Sequence, residues 1–454
     1  RALSGPHNVR PNVSLAYHLA HQLLSRGGER VASTLDGRLQ KFALEALQYQ
    51  LSFLEKQNVN DGAVLVADNR SGEILAYVGS LPGSHVDGVK AKRQAGSTLK
   101  PFLYELAIEK RLLTASSILD DQPLNLQTSG GLYVPHNYDN EYKGAVTVRV
   151  ALSSSLNIPA VKALMLTGPE LFAGRLRDLG FDLNESGDYY GYSLALGSAD
   201  VSLYELVNGY RALANGGRWS ELKLALDKKE KTRKVLNREA SFIISDILSD
   251  RQARSVTFGL ENSLSTRFWT AVKTGTSKDM RDNWCVGYSE KYTVGVWVGN
   301  FTGEPMWSVS GITGAAPVWL EIMNYLHSSN TSVSPRPPAG VLARRMESAR
   351  DEWYMKGTEP ADHFEADRPN DEPPKITYPS DGAVIALDPD IPEEQQKVFF
   401  EAQGSAPGFE WLLNDERMGD SNVAVSWRPR GGKYKLSIVD RQNMVIDSVR
   451  FEVR

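Results

Sequence analysis

A chain of 454 residues, 41% hydrophobic and 23% charged, has room for about two or three domains and the composition of a protein that folds over most of its length. Its net charge of -4 excludes the basic footprint of a nucleic-acid binder. Its single cysteine, Cys285, excludes an intrachain disulfide and a cysteine-built metal site. No apolar run reaches the length of a membrane span, and Arg1-Ala-Leu-Ser-Gly-Pro6 is not a signal peptide. The absent initiator methionine points to a processed or excised piece, with any targeting segment upstream.

Leu39, Phe42, Ala46, Leu47 and Leu51 recur at helical spacing and predict a helix over about 39–56. A hairpin follows, from Gly62-Ala-Val-Leu-Val-Ala-Asp68 through a turn at Asn69-Arg-Ser-Gly72 to Glu73-Ile-Leu-Ala-Tyr-Val-Gly79. Mostly helical sequence leads to three further strands, expected at 268–276, 283–289 and 292–300. Strands from both ends of one domain, with helices against them, predict an α+β fold built on an antiparallel sheet. Cys285 lies in the second of these later strands and is expected as a small buried residue, not a reactive thiol.

Two composition shifts follow. Ser328 to Gly340 is polar and proline-rich, and 357–374 is acidic, so 328–374 reads as a linker. Beyond 375, alternating runs at 397–402, 409–413, 423–427 and 434–439 are separated by turns such as Asn414-Asp415 and Gly431-Gly432. They predict a small all-β, immunoglobulin-like sandwich.

Three short patterns carry chemistry. Ala95-Gly-Ser-Thr-Leu-Lys-Pro101 reads as a helix start that puts Ser97 and Lys100 on one face, and a serine hydroxyl needs a base within hydrogen-bond reach. Alone it is weak, because Ser220-Glu-Leu-Lys223 matches it and an ordinary N-capped helix with a solvated lysine explains it better. Ser155-Leu-Asn157 is also cheap, being repeated in form at Ser328-Ser-Asn330, and reads alone as a cluster of helix-end caps. Lys273-Thr-Gly-Thr276 occurs once and suits an edge strand that a substrate backbone approaches closely, though a plain strand ending in a turn is the alternative.

Together and in this order, the three patterns form the signature of the penicillin-recognising acyl-serine enzymes. Arg93-Gln-Ala-Gly-Ser-Thr-Leu-Lys-Pro-Phe102, Pro135-His-Asn-Tyr-Asp139, Val148 to Val161 and Ala271-Val-Lys-Thr-Gly-Thr-Ser-Lys-Asp279 resemble the transpeptidase domain of class A penicillin-binding proteins over about residues 30–327. The β-domain, with Tyr378-Pro-Ser-Asp-Gly382, resembles the C-terminal module of the 1C group. The resemblance divides the chain into an inter-domain linker and helix (1–60), a transpeptidase domain (61–327), a linker (328–374) and a β-sandwich (375–454). It implies Ser97 as nucleophile, Lys100 as its base, Lys273 as the cation nearby and Ser155 as proton relay. Asn157, Thr274, Gly275 and Thr276 would hold the substrate, with the backbone N–H groups of Ser97 and Thr276 as oxyanion hole.

The implied partners are peptidoglycan stem peptides and β-lactams, with other periplasmic wall proteins engaged through 375–454. No nucleic acid is expected, and membrane contact only through an N-terminal anchor of the parent protein, which would sit on the inner membrane and also polymerise glycan. No cofactor or metal is expected, since His18-Leu-Ala-His21 lacks the i, i+4 spacing and the glutamate of a zinc helix. One rival is a scaffold that keeps the site but works through its surfaces. Another is a serine β-lactamase, suggested by Tyr138-Asp-Asn140, and a Ser-His-Asp hydrolase is disfavoured by the lack of Gly-x-Ser-x-Gly.

Overall fold

The computed structural model describes residues 15–24, 31–128, 131–137, 141–224, 231–259, 262–346, 351–360, 374–385, 387, 398–403, 409–421 and 425–454. Tyr138-Asp-Asn140 and the acidic stretch 361–373 therefore lie outside the described residues. The chain forms two compact units that divide between Glu359 and Pro360.

The first unit is organised by five antiparallel strands: β1 (Asp61–Asp68), β2 (Ile74–Val78), β3 (Ala271–Thr276), β4 (Asp282–Tyr288) and β5 (Tyr292–Gly299). Their order is β3-β4-β5-β1-β2, so β1 pairs across more than 200 residues with β5, Asp61 opposite Gly299. Side chains alternate across a strand, and here both faces are covered. Val64, Val66, Val294 and Val296 pack under the helices Gly37–Leu54 and Ala316–Leu326. Leu65, Val286 and Tyr288 face the helices Lys100–Glu109, Asn157–Thr167, Leu203–Ala214 and Arg238–Ser249. The helix expected at 39–56 runs from Gly37 to Leu54, capped by Asp36 Oδ1 on Arg38 N at 2.8 Å and Leu39 N at 3.1 Å. Cys285 has no exposed surface. Among the described residues no helix is long and apolar enough to cross a membrane.

The span expected as a linker needs correction. Val341–Arg345 and Asp351–Met355 pair as an antiparallel hairpin that belongs to the first unit. Arg149 donates to both oxygens of Glu352, to Asp246 at 2.6 Å and to Asp250 at 3.2 Å. The hairpin escaped notice because an ion cluster, not an apolar stripe, fixes part of its inner face. A chain ended after Leu326 would leave the nearly buried Arg149 without Glu352, a loss of about 3 kcal/mol. It should melt several degrees below a chain ended after Glu359, and equal melting temperatures in a thermal scan would count against this role of the hairpin.

In the second unit, two sheets enclose one core. Lys375–Tyr378, Val398–Gln403 and Val425–Trp427 form the first. The second holds Val384–Ile385, Glu410–Leu413, Glu416–Asp420, Gly432–Val439 and Val445–Val453. Asn414 and Asp415 both have positive φ, +48° and +66°, as a two-residue hairpin turn demands. The strand Val445–Val453 was not among those expected. Phe400, Trp411 and Phe451 are buried, and Trp427 stacks edge-on against Tyr434 at 4.5 Å, so these aromatics build the core.

Candidate active site

Residues Gly96–Leu99 form a single 3₁₀ turn that runs into the helix Lys100–Glu109. Side chains three apart eclipse in such a turn, so Ser97 and Lys100 share a face. Tyr210 Oη donates to Thr98 O at 2.8 Å and pins the turn from behind. Gly96 has φ of +55°, and a Cβ there would lie 2.6 Å from Thr276 O. Only glycine permits this approach, which seats the serine turn against the end of β3.

β3 is the edge strand of the sheet, with one side paired to β4 and the other free to face a ligand. Gly275 also has to be bare, since a Cβ would stand 2.9 Å from Ala95 O. Thr276 Oγ1 accepts from Gly311 N at 3.0 Å, which joins the strand to the segment Ser310–Ile312 across the opening.

Between the helices Val148–Ser153 and Asn157–Thr167, Ser155 takes φ of +63°, a conformation that costs a serine about 1–2 kcal/mol. Strain of this size persists where the surroundings impose it. The result is that Ser155 Oγ accepts Lys273 Nζ at 2.7 Å. Lys273 also donates to Thr274 O at 2.8 Å.

A cleft of about 970 Å³ opens here, and Ser97, Ser155, Asn157, Thr274, Gly275 and Thr276 line it. Lys100 and Lys273 lie beneath its floor, 0% and 2% exposed. Burial, and then the neighbouring Lys273 cation, push the Lys100 amine well below its ordinary range, while Asp121 acts in the opposite direction. Lys273 is pushed down to about 7 by burial and then by Arg254, against a smaller upward influence from Cys285. The protonated form of Lys273 favours an anionic ligand above it.

Lys100 Nζ donates to Ser155 O at 2.7 Å, Leu156 O at 3.0 Å and Asn157 Oδ1 at 2.7 Å, three acceptors that match the three protons of an ammonium. No hydrogen bond from Lys100 to the Ser97 hydroxyl is present among the described residues. The competing match at Ser220 and Lys223 is structural: Ser220 Oγ is nearly buried and accepts from Arg211 at 2.7 Å.

Residues 62–324 match the family described as penicillin binding protein transpeptidase domain. The chain belongs to this family. Residues 364–451 match a second family, described as penicillin-binding protein C-terminus family. Penicillin-binding protein 1C of Escherichia coli K12 is 32% identical over 318 residues, 68% of this chain and 40% of that protein. Penicillin-binding protein 1B of Vibrio cholerae is 29% identical over 69% of this chain and 42% of its own length. The chain thus spans about two fifths of these curated relatives. Among solved structures, penicillin-binding protein 1A of Haemophilus influenzae superposes with a TM-score of 0.67 at 18% identity, over 77% of each chain. PonA1 of Mycobacterium tuberculosis, in complex with penicillin V, gives 0.61 at 20% identity over 72% of this chain and 96% of its own. The fold is that of class A penicillin-binding proteins.

All eight residues singled out from the three sequence patterns thus meet at one cleft of the transpeptidase fold. What the patterns did not single out is its surroundings. Asp121, Asn137 and Arg254 stand behind the lysines, and Ser193, Ser198 and Gly311 form further walls. Of these only Asn137 lay in a quoted motif, Pro135-His-Asn137, where no role was attached to it.

Proposed function

We propose that this chain is the D,D-transpeptidase part of a cell-wall synthase and works through an acyl-enzyme on Ser97. The observation that carries the reading is the convergence of Ser97, Ser155 and Asn157 over two buried lysines at the edge of β3. Ser97 Oγ attacks the carbonyl of the penultimate D-Ala of a stem peptide and passes its proton to neutral Lys100. A neutral amine has only two protons, so deprotonation releases Lys100 from one of its three acceptors and frees a lone pair to take the serine proton. The backbone N–H groups of Ser97 and Thr276 hold the oxyanion, at a few kcal/mol per donor. Collapse expels the terminal D-Ala, whose amine takes a proton through Ser155. Asn157 holds the donor amide, and Thr274, Thr276 and Lys273 receive the carboxylate. The amine of a second strand then attacks the ester, forming the cross-link and restoring Ser97.

The printed penicillin V complex belongs to PonA1, and we extend β-lactam binding to this chain as part of the proposal. For the whole protein we propose a periplasmic enzyme anchored to the inner membrane that also polymerises glycan, with the second unit recruiting wall proteins. The test is intact mass after incubation with a β-lactam, followed by mapping of the adduct to Ser97. One observation favours a second reading, a scaffold whose site reacts weakly: Lys100 Nζ faces three acceptors, Ser155 O, Leu156 O and Asn157 Oδ1, and the Ser97 hydroxyl is not among them. A native chain that gains no adduct would decide for it, whereas rapid turnover of nitrocefin would point to a β-lactamase.

A further inference from the structure

Behind Asn157, a buried carboxylate is wired to the buried lysine. Asp121, the last residue of the strand Ile118–Asp121, has no exposed surface. Its Oδ2 accepts Lys143 N at 2.9 Å, and the Asn137 amide N–H bridges both carboxylate oxygens at 2.9 and 2.8 Å. The second proton of that amide goes to Glu141 O at 2.8 Å. Both protons of Asn137 being committed, its Oδ1 faces away and accepts Asn157 N at 2.8 Å. Asn157 is held in the same manner, with Nδ2 on His136 O at 2.7 Å and Oδ1 on Lys100 Nζ at 2.7 Å.

We infer that Asp121 is a positioning residue for acylation: through Asn137 it fixes the Asn157 amide against Lys100, and it is the carboxylate that opposes the cations gathered under the cleft. The inference rests on the acyl-serine reading of the site. The groups that bear on Lys100 come from every side. Lys273 approaches from β3 and Asp121 from its strand, while Arg254 of the helix Arg251–Phe258 and Cys285 of β4 act on Lys273. Tyr104, on the same helix as Lys100, is itself influenced by Asp121. Asp121 favours the charged amine and the cations disfavour it, so its removal should let Lys100 lose its proton at lower pH.

Asp121→Asn removes the charge and, with its amide oxygen at the Oδ2 position, keeps Asn137 and Lys143 as donors there, losing only the Asn137 contact at Oδ1. The midpoint of Lys100 titration, followed by NMR of isotopically labelled lysine, should fall by about one pH unit. The acid limb of the penicillin acylation profile should move down with it. Asn137→Ala leaves the charge and cuts the bridge, and should slow acylation at least about tenfold at every pH. An Asp121→Asn titration that superimposes on that of the native chain overturns the assignment, as does an Asn137→Ala chain acylated at the native rate. The NMR midpoint is read without any reaction, so its failure is distinguishable from a Ser97 that does not acylate.

Discussion

A Ser97→Ala chain should take up no penicillin, with labelling reduced by a factor on the order of 10⁴ or more, since removal of the nucleophile leaves nothing to form the ester. The native chain should gain one β-lactam per molecule and keep it for hours. Folding is not a confounding factor. Ser97 lines the cleft and is only partly buried, and the turn around it is held by Thr98, through its hydroxyl on Ala95 O at 2.8 Å and its carbonyl under Tyr210. Fluorescent penicillin on a gel, read beside intact mass, checks both halves of the expectation. Label on Ser97→Ala would place the reacting residue elsewhere and dissolve the reading of the cleft.

The five-stranded sheet was legible because its signals are local. Apolar runs such as Gly62 to Ala67 and turns such as Asn69 to Gly72 announce strands and hairpins within a few residues. Ser97 and Lys100 were legible because three-residue spacing on a helical turn is itself geometry. Other features depend on contacts that spacing does not encode. The left-handed backbone of Ser155 is set by the two helices it joins, and no sequence rule marks a serine for positive φ. Asp121, 21 residues from Lys100 in sequence, reaches it only through two asparagines on other segments. The hairpin ending at Met355 belongs with the first unit because Glu352 finds Arg149 203 residues away, a pairing that a proline-rich and charged composition conceals.

Lys100→Arg and Lys273→Arg should differ by about two orders of magnitude in acylation rate, although each exchanges a buried amine for a guanidinium. A guanidinium does not lose its proton in the working pH range, so Lys100→Arg removes the base and should cost about 10³-fold, the size of a general-base contribution. Lys273→Arg keeps a cation beside Ser155, and should cost about tenfold, or about 1.4 kcal/mol, from displaced hydrogen bonds at Ser155 Oγ and Thr274 O. Both substitutions enlarge a nearly buried side chain, so overpacking of about 1–3 kcal/mol burdens both and leaves the difference to report chemistry. Melting temperatures measured on the same preparations establish that parity. The native profile supplies the sign: acylation should rise as pH climbs through the lowered pKa of Lys100, because only the neutral amine accepts the serine proton. Lys100→Arg should flatten that limb, while Lys273→Arg should retain it. Equal losses in the two variants, with both limbs intact, would mean that the two lysines serve alike as buried charge and that another group takes the proton from Ser97.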